Sequence, residues 1–260
     1  MRYWLVMPAA GVGRRFGNTR PKQYAPLQGR TVIEWALDPF LADPHCAGVS
    51  ISLASDDPYW GEVADRLAKR PGRTAAIIVA GGGAERSQSV RKGLEALATR
   101  ATDEDWVLVH DAARPCLSGR DLQQLLERLG AHRVGGILAT PAADTLKRAS
   151  VETRAPANGP SPATANATPP GPEIDTTVDR AGLWRALTPQ MFRYKMLCDA
   201  LDRALASGRL PTDEAQALEW TGEHPVLVQG SAANIKITSA DDLVLAAALL
   251  NAREGTTATR

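Results

Sequence analysis

The regular alternation of short apolar runs with stretches of helical period constrains this chain more than any other feature. Strand-like runs fall at Tyr3–Met7, Gly48–Ala54, Ala76–Val79, Trp106–His110, Gly135–Thr140 and Val226–Gln229. Between them apolar residues recur every three or four positions. Thr31–Leu41 places Val32, Trp35, Ala36 and Phe40 on one face, and Ser118–Leu129 opens on a serine suited to capping and repeats Leu122, Leu125, Leu126 and Leu129. Ser87–Ala98, Tyr194–Ser207 and Asp241–Asn251 have the same character. Alternating strands and helices predict an α/β fold, a doubly wound and mostly parallel sheet covered on both faces. Ligands of such sheets sit at the carboxyl ends of the strands, so the loops that follow strands are where functional residues are expected.

The period fails between Ser150 and Glu173, which hold six prolines among Ala, Thr, Gly and Asn. A segment with so little to bury reads as a flexible insertion. Its flanks, Asp144–Lys147 and Ile174–Asp179, have β character and are expected to pair as an arm; a plain interdomain linker is the alternative. Charge and composition exclude several classes. Lys and Arg number 30 against 29 Asp and Glu, a net charge of +1 that argues against a nucleic-acid coat or a membrane-surface peptide. Cys46, Cys116 and Cys198 are far apart and form no CxxC, and the four histidines form no HxxxH, so neither a disulfide framework nor a cysteine-rich zinc site nor a zincin is expected. The longest apolar run, Leu243–Leu250, is well short of the ~20 residues of a membrane-spanning helix. The apolar start runs straight into Gly13, Arg14 and Arg15, unlike a signal peptide. The expectation is a reduced, cytoplasmic protein with neither nucleic acid nor membrane as partner.

Three loops after strands carry chemistry. Pro8–Gly17, PAAGVGRRFG, has small residues that let backbone N–H groups approach phosphate oxygens. It lacks the GKS or GKT of a Walker loop, and its third glycine is misplaced for a dinucleotide fingerprint. Arg14, Arg15 and Lys22 add fixed cations beside it, which suits a nucleoside triphosphate. The second loop is GGGAERSQSV at 81–90, in which Ser89 either caps a helix or bonds a ligand. The third is VLVHDAARP at 107–115. Its Asp111 suits a metal or hydroxyl and equally suits a cap before Pro115; Arg114 suits a second phosphate, and His110 reads as a core histidine rather than a base. Further along, Thr212 reads as the N-cap of a helix whose first turn holds Asp213 and Glu214.

Together the segments PAAGVGRRFG, PKQY, GGGAERSQSV, VLVHDAARP, DTLKR, VDRAGLWRALTPQ, TDEA and NIKIT, in this order from residue 8 to 238, resemble the 2-C-methyl-D-erythritol 4-phosphate cytidylyltransferase family of non-mevalonate isoprenoid synthesis. The resemblance implies a Rossmann-like nucleotidyltransferase fold, one domain over 1–260 with a projecting β-arm at 144–181 and the Pro/Ala-rich insertion at 150–173. It implies CTP bound through Ala9, Ala10 and Gly11, with Gly83 and Ser89 at the cytosine, and Arg15 and Lys22 stabilising the transition state at the α-phosphate. Asp111 would lie near magnesium and the sugar phosphate. Arg114, Thr145, Arg180, Thr212 and Lys236 would hold methylerythritol phosphate. The family works as a homodimer through its arms, so Thr145 and Arg180 are expected to serve the partner's site.

The chain departs from the family at Ala84 and Ala233, where aspartate is common, which puts two peripheral ligand contacts in doubt. No fused cyclase domain is expected. Three alternatives remain. A ribitol 5-phosphate cytidylyltransferase shares fold and reaction, although LWRALTPQ and TDEA resemble the methylerythritol enzyme more. An NAD(P)-binding oxidoreductase needs an acidic residue ending strand two about 20 residues after the glycines, whereas that strand ends at Ala54–Asp56. A non-catalytic nucleotide sensor would bind CTP without releasing pyrophosphate.

Overall fold

A computed structural model describes residues 1–11, 20–70, 75–150 and 171–257. In chain order the elements are β1 (Tyr3–Pro8), a 3₁₀ turn (Lys22–Tyr24), β2 (Pro26–Leu27), β3 (Arg30–Thr31), α1 (Val32–Leu41), β4 (Cys46–Leu53), α2 (Trp60–Ala68), β5 (Ala76–Gly81), α3 (Arg86–Glu95), β6 (Trp106–Val109) and α4 (Gly119–Leu129). There follow β7 (Gly135–Pro141), β8 (Leu146–Ala149), β9 (Ile174–Val178), β10 (Trp184–Arg193), α5 (Tyr194–Ala206), α6 (Glu214–Glu219), β11 (Val226–Gln229) and α7 (Ala240–Thr257). The chain divides into two compact units, Met1–Thr140 with Ala186–Arg260, and Pro141–Arg185.

Seven strands form one sheet in the order β11-β7-β10-β6-β1-β4-β5. β1 pairs parallel with β4 and β6, β4 parallel with β5, and β11 parallel with β7, while β10 runs antiparallel to β6. The central strands are buried on both faces, which explains their unbroken apolar runs. Side chains alternate across the sheet. Tyr3, Leu5 and Met7 of β1 join the layer with α1, α2 and α4, and Trp4 and Val6 join the layer with α3, α5 and α6. A third cluster packs α7, through Ala246 and Leu250, against Leu27, Trp35 and Ile237. This is the doubly wound, mostly parallel sheet that the alternation predicts.

The helix α3 does most to place the site. A Cβ on Gly93 would come within 2.6 Å of Val6 Cγ1 and 3.0 Å of Ser52 Oγ, so the helix lies directly on the sheet where β4 offers the small residues Ser50 and Ser52. The Ser52 hydroxyl donates to the Ser89 carbonyl at 2.6 Å, which fixes the first turn of α3 beside the ends of β1 and β4.

In the smaller unit the flanks of the insertion pair antiparallel as β8 and β9, Leu146 opposite Val178 and Lys147 opposite Thr177. The pairing is extended by the Ser150 N–H, which donates to the Glu173 carbonyl at 2.9 Å. Residues 151–170, and with them most of the expected flexible insertion, lie outside the described residues.

Three elements go beyond the sequence reading. α2 is amphipathic, burying Trp60, Val63 and Leu67. β10 takes up WRALTPQ, the last seven residues of the segment read only as a motif, VDRAGLWRALTPQ, and buries Leu187–Phe192. β2 and β3 are joined by a turn with positive φ at both Gln28 (47°) and Gly29 (72°), the conformation of a tight hairpin. Among the described residues no helix is long and apolar enough to cross a membrane.

Candidate active site

The carboxyl ends of β1, β5 and β6 open at one edge of the sheet. There Pro8, Ala9, Ala10, Gly11, Lys22, Gln23, Gly83–Ser89, Asp111–Ala113 and Lys236 surround a cavity of about 290 Å³, in which Ser87 and Gln88 take no part in the lining. A second cavity of about 240 Å³ is lined by Arg114, Ala186–Thr188, Gln190, Thr212 and Asp213, and shares Arg86, Asp111 and Lys236 with the first. These three charged side chains therefore form a wall common to both cavities.

Two loops build the first cavity, and each is held by a side chain behind it. The Ala9 N–H donates to the Ser52 carbonyl at 2.8 Å. The buried Gln23 amide donates to the carbonyls of Ala9 and Gly11, at 2.8 and 3.0 Å. Ala9, expected to meet a ligand through its backbone, lines the cavity beside Ala10 and Gly11, with its N–H and carbonyl each carrying one hydrogen bond within the protein. The facing loop follows β5. A Cβ at Gly82 would lie 2.2 Å from the Ala10 Cβ, so the two loops can approach only because residue 82 is glycine, and a Cβ at Gly83 would lie 2.4 Å from the Gln88 Cβ, so the second loop can fold onto the start of α3 only with glycine there. The Gly82 N–H donates to Leu53, and its carbonyl accepts from Lys92 at 2.8 Å. The residue that opens α3 is Glu85, in a capping box with Gln88, and not Ser89. Ser89 lies a turn further on, where its hydroxyl accepts from the Gly83 N–H at 3.0 Å and donates to the Glu85 carbonyl at 3.2 Å.

The shared wall is an ionic cluster. Asp111 is 6% exposed, and its carboxylate has Arg86 Nε at 3.0 Å, Lys236 Nζ at 2.9 Å and Arg114 Nε at 3.3 Å. Burial pushes its pKa up, and the charges of Arg86, Lys236 and Arg114 overcome this and hold it well below the usual carboxylate range. Arg86 also makes a two-pronged pair with Glu214, at 2.6 and 3.1 Å, and Glu214 is fully buried. Three cations thus stand against two carboxylates in this cluster, and Arg86 and Lys236 face both cavities.

Backbone bonds fix Lys236 in place. Arg114 donates to the Asn234 carbonyl at 2.7 Å, the Asn234 amide donates to the Thr188 carbonyl at 2.7 Å, and the Ile237 N–H donates to the Ala113 carbonyl at 2.8 Å. Arg114 thus ties loops together as well as lining the second cavity. His110 completes the scaffold. Its Nε2 sits 3.1 Å from the Arg114 carbonyl, which can only accept, so Nδ1 accepts from the Thr188 hydroxyl at 2.9 Å, and that hydroxyl accepts from the Asp111 N–H at 3.2 Å. The ring is fully buried, and burial lowers its pKa from 6.5 to about 4. It is the core histidine that the sequence suggested.

The structure thus gathers Ala9, Ala10, Gly11, Lys22, Gly83, Ser89 and Asp111 at the first cavity, and Asp111, Arg114, Thr212 and Lys236 at the second. Thr145 and Arg180 belong to the smaller unit, where Arg180 donates to the Ala143 carbonyl. Arg15 lies outside the described residues. Thr212 does not cap α6: the cap is Asp213, whose carboxylate accepts from the Gln216 N–H at 2.9 Å. Sequence reasoning assigned no site role to Arg86, Glu214 or Gln23. Arg86 carried a signal, since a cation in the first turn of a helix opposes the helix dipole and so calls for a partner.

Among the described residues no group of three His, Cys, Asp or Glu converges, so these residues alone build no metal cage. Two carboxylates line the first cavity, that of Asp111, whose oxygens also meet Arg86, Arg114 and Lys236, and that of Glu85. The number fits magnesium, which is commonly held by one or two carboxylates together with substrate phosphates and water.

Comparison with known proteins agrees with this geometry. The model of the family described as IspD, 2-C-methyl-D-erythritol 4-phosphate cytidylyltransferase, matches residues 3–158 and 162–252. Proteins of that name are 46% identical over 241 residues in Vibrio vulnificus strain CMCP6 (93% of this chain, 91% of that protein) and 48% identical over 259 residues in Halorhodospira halophila (98% and 97%). A solved 4-diphosphocytidyl-2C-methyl-D-erythritol synthase aligns with TM-score 0.75 at 33% identity, covering 96% of this chain and 98% of its own. The 2-C-methyl-D-erythritol 4-phosphate cytidylyltransferase of Francisella tularensis aligns with TM-score 0.73 at 30% identity, covering 96% and 100%. The chain belongs to the 2-C-methyl-D-erythritol 4-phosphate cytidylyltransferase family.

The depressed pKa of His110 sets a test of the scaffold. Between pH 6.5 and about 4 the unfolded chain holds a proton that the native ring refuses, so stability falls as the pH drops through that window. On lowering the pH from 7 to 5, the wild type should lose roughly 2 kcal/mol more than His110→Gln in urea unfolding. Equal losses would mean that the ring accepts its proton in the folded state.

Proposed function

We propose that this protein transfers CMP from CTP to 2-C-methyl-D-erythritol 4-phosphate, releasing pyrophosphate and forming 4-diphosphocytidyl-2-C-methyl-D-erythritol in the non-mevalonate isoprenoid pathway. Membership of the family supports the reading. The observation that carries it is the pair of cavities with one charged wall, which suits two phosphorylated substrates meeting end to end.

The reaction is a displacement. An oxygen of the acceptor phosphate forms a bond to the α-phosphorus of CTP as the bond to the β-phosphate bridge breaks, and pyrophosphate leaves with that electron pair. A phosphate monoester is already anionic at neutral pH, so no general base is required, and the buried neutral His110 is not called on to be one. The task is to bring two anions together and to neutralise charge that grows during transfer.

In this reading Ala10 and Gly11 present N–H groups to the nucleotide, and Gly83, braced by Ser89, borders the base. Lys22 and Arg15 stabilise the α-phosphate in the transition state. Lys236, with Arg114 and Thr212, holds the acceptor phosphate across the wall from the triphosphate. Magnesium, bound through Asp111 and the phosphates, would supply further charge neutralisation. Thr145 and Arg180 act in the partner's site of a homodimer joined through the arm. Leu146 and Ile174 of β8 and β9 support that assembly, since both are exposed apolar side chains. CTP is a cytoplasmic nucleotide, which is the ground for placing the reaction in the cytoplasm; cell fractionation checks it.

The direct assay is pyrophosphate release with CTP, magnesium and a panel of polyol phosphates. Methylerythritol phosphate should be the preferred acceptor; preference for ribitol 5-phosphate, or CTP binding without pyrophosphate, would overturn the reading. Within that assay Lys22→Ala should lower kcat by about 10²–10³ with a smaller change in KM for CTP, as expected for lost stabilisation of developing charge. Lys236→Ala should instead raise KM for the acceptor, and a large loss of CTP affinity by calorimetry would assign that lysine to the wrong substrate.

The arm is tested by mixing Arg180→Ala and Lys22→Ala protomers. If Arg180 acts across the dimer, one site of each heterodimer carries both defects and the other neither, and activity recovers toward half the wild-type value. No recovery in heterodimers confirmed by mass spectrometry would place Arg180 in its own subunit's site.

A further inference from the structure

We infer that Arg86 and Glu214 are positioning residues for the acceptor side of the reaction, a role that rests on the function proposed above. Both cavities depend on Arg86, whose guanidinium bridges Asp111 on one side and Glu214 on the other. Glu214 has no access to solvent. Its carboxylate therefore acts through Arg86, whose fork meets both of its oxygens.

The geometry gives this pair a defined task. Arg86 occupies Oδ1 of Asp111, and this leaves Oδ2 to face Arg114 and Lys236. The orientation of the Asp111 carboxylate is thus set from the Glu214 side, and Lys236 is set by Asp111. The same fork ties the start of α6, just beyond Thr212, to the start of α3. Further hydrogen bonds to the start of α6 come from β10, where Gln190 donates to Asp213 at 2.9 Å and accepts from the Ala215 N–H at 2.9 Å, and α6 also packs against α5. Lys236 and Thr212, which line the second cavity from two distant parts of the chain, are thus both linked to one guanidinium, Lys236 through Asp111 and Thr212 through the start of α6, in addition to the bonds that hold each segment.

Electrostatics alone makes the opposite forecast, which is what makes the idea testable. Replacing Glu214 with glutamine removes a negative charge next to an anion site. If charge were all that mattered, the acceptor dianion would bind more tightly. If Glu214 positions Arg86, the amide nitrogen cannot accept from the guanidinium, the fork loosens, and acceptor binding weakens. Arg86→Lys keeps the charge and cannot reach both carboxylates with a planar fork.

Steady-state kinetics and calorimetry on the full-length chain decide between these. Glu214→Gln and Arg86→Lys should each raise KM for methylerythritol phosphate about tenfold or more, as misplacement of a substrate-holding group does. The CTP dissociation constant should move much less than KM for the acceptor. An acceptor KM that is unchanged or lowered in Glu214→Gln would overturn the proposal, as would a normal KM in Arg86→Lys. If one variant fails to fold, the other is read alone; failure of both to fold would make the pair a structural strut and also overturn it. A wild-type chain that releases no pyrophosphate with methylerythritol phosphate would contradict the function itself, a result seen before any variant is compared.

Discussion

A carboxylate withdrawn from water and shared among three cations, that of Asp111, is the interaction on which the site depends. Burying one charge is costly, and it is tolerated only where partners with good geometry surround it. Here the partners come from three regions, Arg86 at the start of α3, Arg114 in the loop after β6, and Lys236 before α7. Removing Arg86 would deprive the fully buried Glu214 carboxylate of its guanidinium, and breaking such a buried pair typically costs about 3–5 kcal/mol. The cluster therefore does two things at once. It locks three distant segments together, and it leaves positive charge where two anionic substrates are proposed to meet.

Around the cluster the fold supplies closeness rather than further charge. Gly93 lets α3 lie on the sheet, Gly82 lets the second loop touch the first, and Gln23 engages the carbonyls of Ala9 and Gly11. Each is a small steric or hydrogen-bonding condition, and together they set the distance across a cavity of about 290 Å³. A site built this way suits chemistry that needs orientation and charge neutralisation more than proton transfer.

Much of this was legible in the sequence because it rests on local signals. The apolar runs of β1 and β6, and the mostly apolar β4, pointed to the parallel sheet, since strands buried on both faces are largely apolar. The small residues after β1 and β5 marked the cavity, since only small residues allow backbones so close. What the sequence did not reveal depends on partners far along the chain. Ser89 looked like a cap because serine so often caps; the contact that decides its role is the Gly83 N–H. Thr212 looked like a cap for the same reason, and Asp213 took the position. Glu214 read as a favourable first-turn acid and proved to be the buried partner of Arg86, 128 residues away. The strand β10 was hidden because Thr188, Pro189 and Gln190 interrupt its apolar residues, and because Trp184–Ala186 are exposed and only its later residues are buried.

The central claim is that the two substrates occupy the two cavities on either side of the wall formed by Arg86, Asp111 and Lys236. A crystal structure with a CTP analogue carrying a methylene bridge between the α- and β-phosphates, together with methylerythritol phosphate, tests it most directly. The account predicts the nucleotide against Ala10, Gly11 and Gly83, the acceptor phosphate against Lys236 and Thr212, and an acceptor oxygen about 3–3.5 Å from the α-phosphorus. An acceptor phosphate bound away from Lys236 and Thr212, or beyond reach of the α-phosphorus, would contradict it.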